Sequence, residues 1–163
     1  MIKRLLPIVL AVAAFLLDTA ILPQFTSLWL LPVLSLLLVH CLGLLLGRTR
    51  GVLFGMIVGL AIDISVGTPL GLMTAICALL GYAGGWFGRL MWTNRLCPVI
   101  SAAVCFLLYE LVMDVYVVLS AAQFDSALLV RSLCRWPVYV LCTWGLHAGL
   151  KRVLKPGNPY YTR

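Results

Sequence analysis

Charge is what this sequence has least of. Its 163 residues include 12 Lys and Arg but only 5 Asp and Glu, so 10% of the chain is charged, against roughly 25% in an ordinary soluble domain. Such scarcity excludes a water-soluble globule, which has too much surface to cover with so few charges, and also a disordered chain, which needs high charge and low hydrophobicity. Histidine is nearly absent, with only His40 and His147, and neither has the spacing of a metal site or a hydrolase triad. Cys41, Cys77, Cys97, Cys105, Cys134 and Cys142 form no C-x-x-C pair, so neither a metal centre nor a disulfide framework is expected. Ser35, Ser65 and Ser101 lack the context of an activated nucleophile, and no glycine loop is placed to cradle phosphate. The chain is therefore expected to be no enzyme and to carry no cofactor.

What is present is apolar: 63% of the residues are hydrophobic. The excess must face something other than water, and a bilayer is that solvent. Crossing one takes about 20 predominantly apolar residues. Six spans can be drawn, near residues 5–21, 28–46, 51–66, 69–88, 96–120 and 136–150. They predict an all-α polytopic protein, a compact bundle of six transmembrane helices in a single domain over residues 1–163, with 156–163 as a tail. The breaks fall at 23–27, 48–50, 66–69, 89–95 and 121–135, the last long enough for a short amphipathic helix on the membrane surface. The first run follows Lys3 and Arg4 as a signal peptide would, but Asp18 ends it without a small-x-small site, so it is expected to be retained.

Cation placement sets the orientation. With a cytoplasmic amino terminus, Lys3, Arg4, Arg48, Arg50, Arg89, Arg95, Lys151, Arg152, Lys155 and Arg163 share one side, against Arg131 and Arg135 on the other. Basic residues are retained inside, so both termini are expected in the cytoplasm, with Arg131 and Arg135 as an outer basic pair. The net charge of +7 thus belongs to inner loops. Without a basic face interleaved with aromatics, it does not make a nucleic-acid surface.

Four of the five acids, Asp18, Asp63, Glu110 and Asp114, lie inside spans, where an ionisable group is costly and invites a functional reading. All lean toward the outer half. One reading gathers them with Tyr109 and Tyr116 around an outward polar cavity. The other is structural: Asp18 and Asp63 cap helix ends, and Asp114 reaches the interface or pairs with Arg131 or Arg135. Glu110 and Asp114, four apart on one helix face, are positioned to share a proton.

Glycine is the most specific feature. Gly51, Gly55 and Gly59 recur every four residues in the third span, with Gly67 continuing the spacing. Gly71, Gly81 and Gly85, with Ala75 and Ala78, mark a second line in the fourth. Small residues let helix backbones approach where apolar side chains alone give no drive for association. This hairpin is expected to be the tightly packed heart of the protein, with dimerisation through the same face as the alternative use.

The stretch from Gly51 to Leu72, carrying Gly55, Gly59, Asp63, Gly67 and Gly71, followed by Gly81-Tyr82, resembles the signature hairpin of the bacterial rod shape-determining protein MreD family. Length, span number and the basic residues after span two are similar as well. That resemblance implies a non-enzymatic inner-membrane component of the cell-elongation machinery, which binds MreC directly. It also implies that the chain helps couple cytoskeletal MreB filaments to peptidoglycan synthesis outside, with MreB and the peptidoglycan synthases as indirect or transient partners. The same resemblance implies a six-helix fold similar to the substrate-binding subunits of energy-coupling-factor transporters. A vitamin-type uptake subunit is therefore the alternative. The Ala-x-x-x-Ala docking pattern of those subunits is missing, since Ala11, Ala13 and Ala14 are followed four residues on by Phe15, Leu17 and Asp18.

Overall fold

The computed structural model describes residues 2–20, 33–66, 71–90, 96–121 and 126–154. They form six helices and, among the described residues, no strand: α1 (Ile2–Ala20), α2 (Leu34–Leu46), α3 (Arg48–Val66), α4 (Leu72–Leu90), α5 (Cys97–Ala121) and α6 (Ser126–Leu154). Gly67, the expected break at 23–27 and most of those expected at 66–69 and 89–95 lie outside the described residues, while Val66, Arg89 and Leu90 are helical.

Two boundaries differ from the expectation, each for a physical reason. Arg48 to Arg50 do not form a break; they are the first turn of α3, and the chain reverses at Gly47 alone. Its φ of 88° is a conformation that glycine adopts without a Cβ clash. The separate surface helix between the fifth and sixth spans is also absent, because residues 126–135 run unbroken into the sixth helix, which is 29 residues long with Pro137 inside it. Proline costs a helix one N–H bond, but it does not stop a helix whose other side is held by packing.

Cross-helix proximities give the register. A Cβ added to Gly51 would strike the carbonyl oxygen of Gly81, one on Gly55 would meet Cys77 and Ala78, and one on Gly59 would lie 2.5 Å from the Cα of Thr74. Rising numbers on α3 meet falling numbers on α4, so the two run antiparallel with backbones in contact. Backbone contact extends from α4 to α2, which runs parallel to it: Gly84 packs on the His40 carbonyl, Gly88 on that of Leu44, and Gly43 on that of Gly81. Gly85 packs on Arg48. Three helices are thus joined through glycine, and the contact of α3 with α4 is the most extensive in the molecule. Gly71 does not belong to this ridge. It lies just ahead of α4 in open space, with a φ of 106°.

The fifth and sixth helices join by other means. Phe106 and Tyr139 stack with ring centroids 4.7 Å apart, Tyr109 meets Tyr139 edge-on, and the Trp136 indole donates to the Ala103 carbonyl at 2.8 Å. The buried core runs from Leu36 and Leu37 through Cys77 and Leu80 to Ala102, Phe106 and Tyr139. Outside it the surface is apolar, with Ile57 at 66% exposure, Ile64 at 69%, Leu119 at 78% and Leu141 at 67%. Cys97–Ser120 is long and apolar enough to cross a bilayer by itself, and Val9–Ala20 and Leu34–Leu46 are shorter apolar helices.

Candidate functional site

A helix begins with N–H groups that lack an intrahelical partner, and in apolar surroundings these must be satisfied by something. The residue before α2 is Val33, which offers no side-chain cap. Asp18, near the end of α1, supplies it instead, accepting from the N–H of Leu34 at 2.9 Å and of Ser35 at 2.6 Å. Asp63, near the end of α3, does the same for α4. It accepts from the N–H of Gly71 (3.0 Å), Met73 (3.1 Å) and Thr74 (3.0 Å) and from the Thr74 hydroxyl (2.7 Å), and is only 1% exposed. Each carboxylate also faces the positive end of a helix dipole. Two hairpins therefore share one device, in which the first helix carries the acid that starts the second.

The other two acids lie on α5 and face α6. Arg135 Nη1 stands 3.7 Å from Glu110 Oε1, and the Ser132 hydroxyl donates to Asp114 at 2.7 Å. The pair expected to share a proton is thus divided, because each member has its own partner across the helix interface. Glu110 is buried, and its Oε1 has no hydrogen-bond partner. The Arg135 side chain is 38% exposed, and Arg131 is exposed as well. This end of the α5–α6 pair thus carries Glu110, Arg131 and Arg135 beside the aromatic stack of Phe106 and Tyr139.

Neither of the two cavities described for the chain is lined by all four acids. A cavity of about 220 Å³ lies among Phe15, Leu36, Ile62 and Met73, and of the expected residues only Asp18 and Tyr109 line it. Asp63, Glu110, Asp114 and Tyr116 lie elsewhere. Both Asp18 oxygens are engaged by backbone N–H groups, so the walls are largely hydrocarbon.

The residues singled out for the glycine line divide as well. Gly51, Gly55, Gly59, Gly81 and Gly85 meet backbone of neighbouring helices within the chain, and Gly71 donates its N–H to Asp63.

One polar site has no counterpart in the spacing of the sequence. His40, wholly buried on α2, contacts the Leu80 carbonyl through Nδ1 at 3.3 Å and the Ser101 hydroxyl through Nε2 at 3.0 Å. A carbonyl only accepts, so Nδ1 carries the proton and Nε2 accepts from Ser101. This neutral tautomer ties α2, α4 and α5 together at their centre. Its partners are 40 and 61 residues away along the chain, and only the serine and histidine residue types hint at it. His147 is half-buried, with Nδ1 unpartnered. Among the described residues no group of three His, Cys, Asp or Glu could hold a metal ion, and all six cysteines are free, with Cys134 exposed.

The family model described as rod shape-determining protein MreD matches residues 1–145 of the chain. No curated protein and no solved structure matches the chain.

Proposed function

The chain belongs to the MreD family, and we propose that within bacterial rod-shape determination it acts as a non-enzymatic, multi-pass scaffold of the inner membrane that holds MreC. The observation that carries this reading is the family match, which runs through α5 and into α6. The distribution of polar atoms supports the membrane part. Asp63, His40 and Ser101 are buried and satisfied inside, while Ile57, Ile64, Leu119 and Leu141 face outward. That inversion is stable only where the surroundings are apolar. The cation count supports cytoplasmic termini, and with them the α5–α6 edge at Glu110 and Arg135 faces outward, where MreC would dock. MreB filaments and peptidoglycan synthases are then engaged through MreC.

The transport alternative has less to stand on. The cavity at Asp18 and Tyr109 is smaller than the roughly 300 Å³ at which ligand pockets begin, and its one carboxylate is already used as a helix cap.

Co-purification with MreC in mild detergent, followed by mass determination of the intact complex, tests the scaffold. A stoichiometric complex is expected, weakened by Arg135→Gln and unchanged by Arg152→Gln at the other end of α6. A chain that leaves MreC behind and retains a small molecule would move the transport reading to first place.

A further inference from the structure

Among the described residues, the face between α1 and α3 is lined by those two helices alone. Both helices run antiparallel to α2 and hence parallel to each other. Between them lies a groove of about 330 Å³, with Ala11, Val12 and Phe15 on one wall and Leu53, Ile57 and Ala61 on the other. The lining is hydrocarbon except at one end, where Arg50 borders it. Arg50 is exposed, and among the described residues no carboxylate lies within ion-pair distance of it. It belongs to the first turn of α3, which contains no acidic residue and adds the partial positive charge of a helix start. The neighbouring Arg48 lies over the Tyr82 ring, 5.7 Å from its centroid, so among the described side chains Arg50 is the cation that borders the groove.

An occupant must therefore be apolar along its length and anionic at the Arg50 end. Shape narrows it further. From Arg50 to Ala61 the groove follows α3 for about 17 Å, a length along which one extended acyl chain can lie with a charged head at Arg50. We propose that this groove is a binding site for an anionic phospholipid, with one acyl chain along α1 and α3 and the headgroup phosphate on Arg50. A basic residue beside an apolar crevice on the cytoplasmic side is the arrangement that retains such lipids. The site gives α1, otherwise held mainly through α2, a second tie to the bundle. The inference rests on the membrane reading but is independent of MreC.

The test is native mass spectrometry of the full chain released from mild detergent with equal amounts of phosphatidylglycerol and phosphatidylethanolamine of identical acyl chains. Preferential retention of phosphatidylglycerol by about fivefold is expected, the factor one arginine–headgroup contact supplies. Arg50→Gln should bring the ratio near one, while Arg89→Gln, at the end of α4, should leave it unchanged. Ile57→Trp, which fills the groove, should lower retention of both lipids. Equal retention by the native chain, or an unaltered preference in Arg50→Gln, overturns the proposal. So does a photo-crosslinker at Leu53 that captures a protein helix in cells rather than lipid. A chain found in the soluble fraction without detergent would fail the membrane reading itself, which separates the two outcomes.

Discussion

The α3–α4 and α5–α6 pairs solve one problem in opposite ways. Between α3 and α4 the side chains are removed, so Gly51, Gly55, Gly59 and Gly81 bring backbones into contact, and one buried carboxylate closes the end. Between α5 and α6 the side chains are the contact: a ring stack, an indole hydrogen bond, a serine on an aspartate and an arginine on a glutamate. The first interface has no spare volume and admits one geometry. The second is built from directional contacts that can be exchanged one at a time for a partner's groups, which suits the α5–α6 edge to docking and the α3–α4 contact to support.

Substitutions can break or sharpen that contrast. The largest effect is expected from Gly55→Leu, whose side chain would be built onto a position where even a Cβ lies 2.6 Å from the Cys77 carbonyl carbon. Helix separation should cost about 3 kcal/mol or more, seen as loss of the monodisperse, folded chain in detergent. Asp63→Leu should come next, since it leaves several buried donors without an acceptor at about 1 to 3 kcal/mol for the first. Asp63→Asn should be milder because the amide keeps one acceptor oxygen. Thermal unfolding of the two variants side by side checks this, and equal severity would point to charge rather than hydrogen bonding as what α4 needs. On the other interface, Trp136→Phe deletes a single hydrogen bond and keeps a ring, so about 0.6 to 1.5 kcal/mol is expected. A loss as large as that of Gly55→Leu would erase the distinction between the pairs. The smallest effect belongs to Gly149→Ala on α6. Nothing lies within 4 Å of its added Cβ, so unfolding should shift by no more than the gain of about 1 kcal/mol in helix propensity.

How much of this was legible depended on whether the information was periodic. The glycine ridge is legible because a spacing of four is a helix face: Gly51, Gly55, Gly59, Gly81 and Gly85 meet backbone within the chain, while Gly71 stands apart from them. The capping role of Asp18 and Asp63 was one of two open readings, since an acid just before a bend is where a cap would come from. Arg135 was harder. Spacing along α5 pairs Glu110 with Asp114, but nothing in it shows that a residue 25 positions later comes across the interface. Arg131 and Arg135 carry the charge expected of a break, so the sequence reads residues 126–135 as a loop although they continue α6. Charge and proline mark breaks statistically, and α6 overrides both because its opposite face is held by α5. The link from His40 to Ser101 is a property of packing alone.

Asp63 also bears on how the protein is made. Its hydrogen-bond donors belong to the following helix, so when α4 leaves the ribosome its first turn is complete only if α3 already stands beside it. Asp18 imposes the same condition on α2. If the chain spans the membrane as proposed, hairpins rather than single helices would be the units that partition from the insertion machinery into lipid, and a ribosome stalled between the two members of a pair would leave a lone carboxylate waiting at the channel.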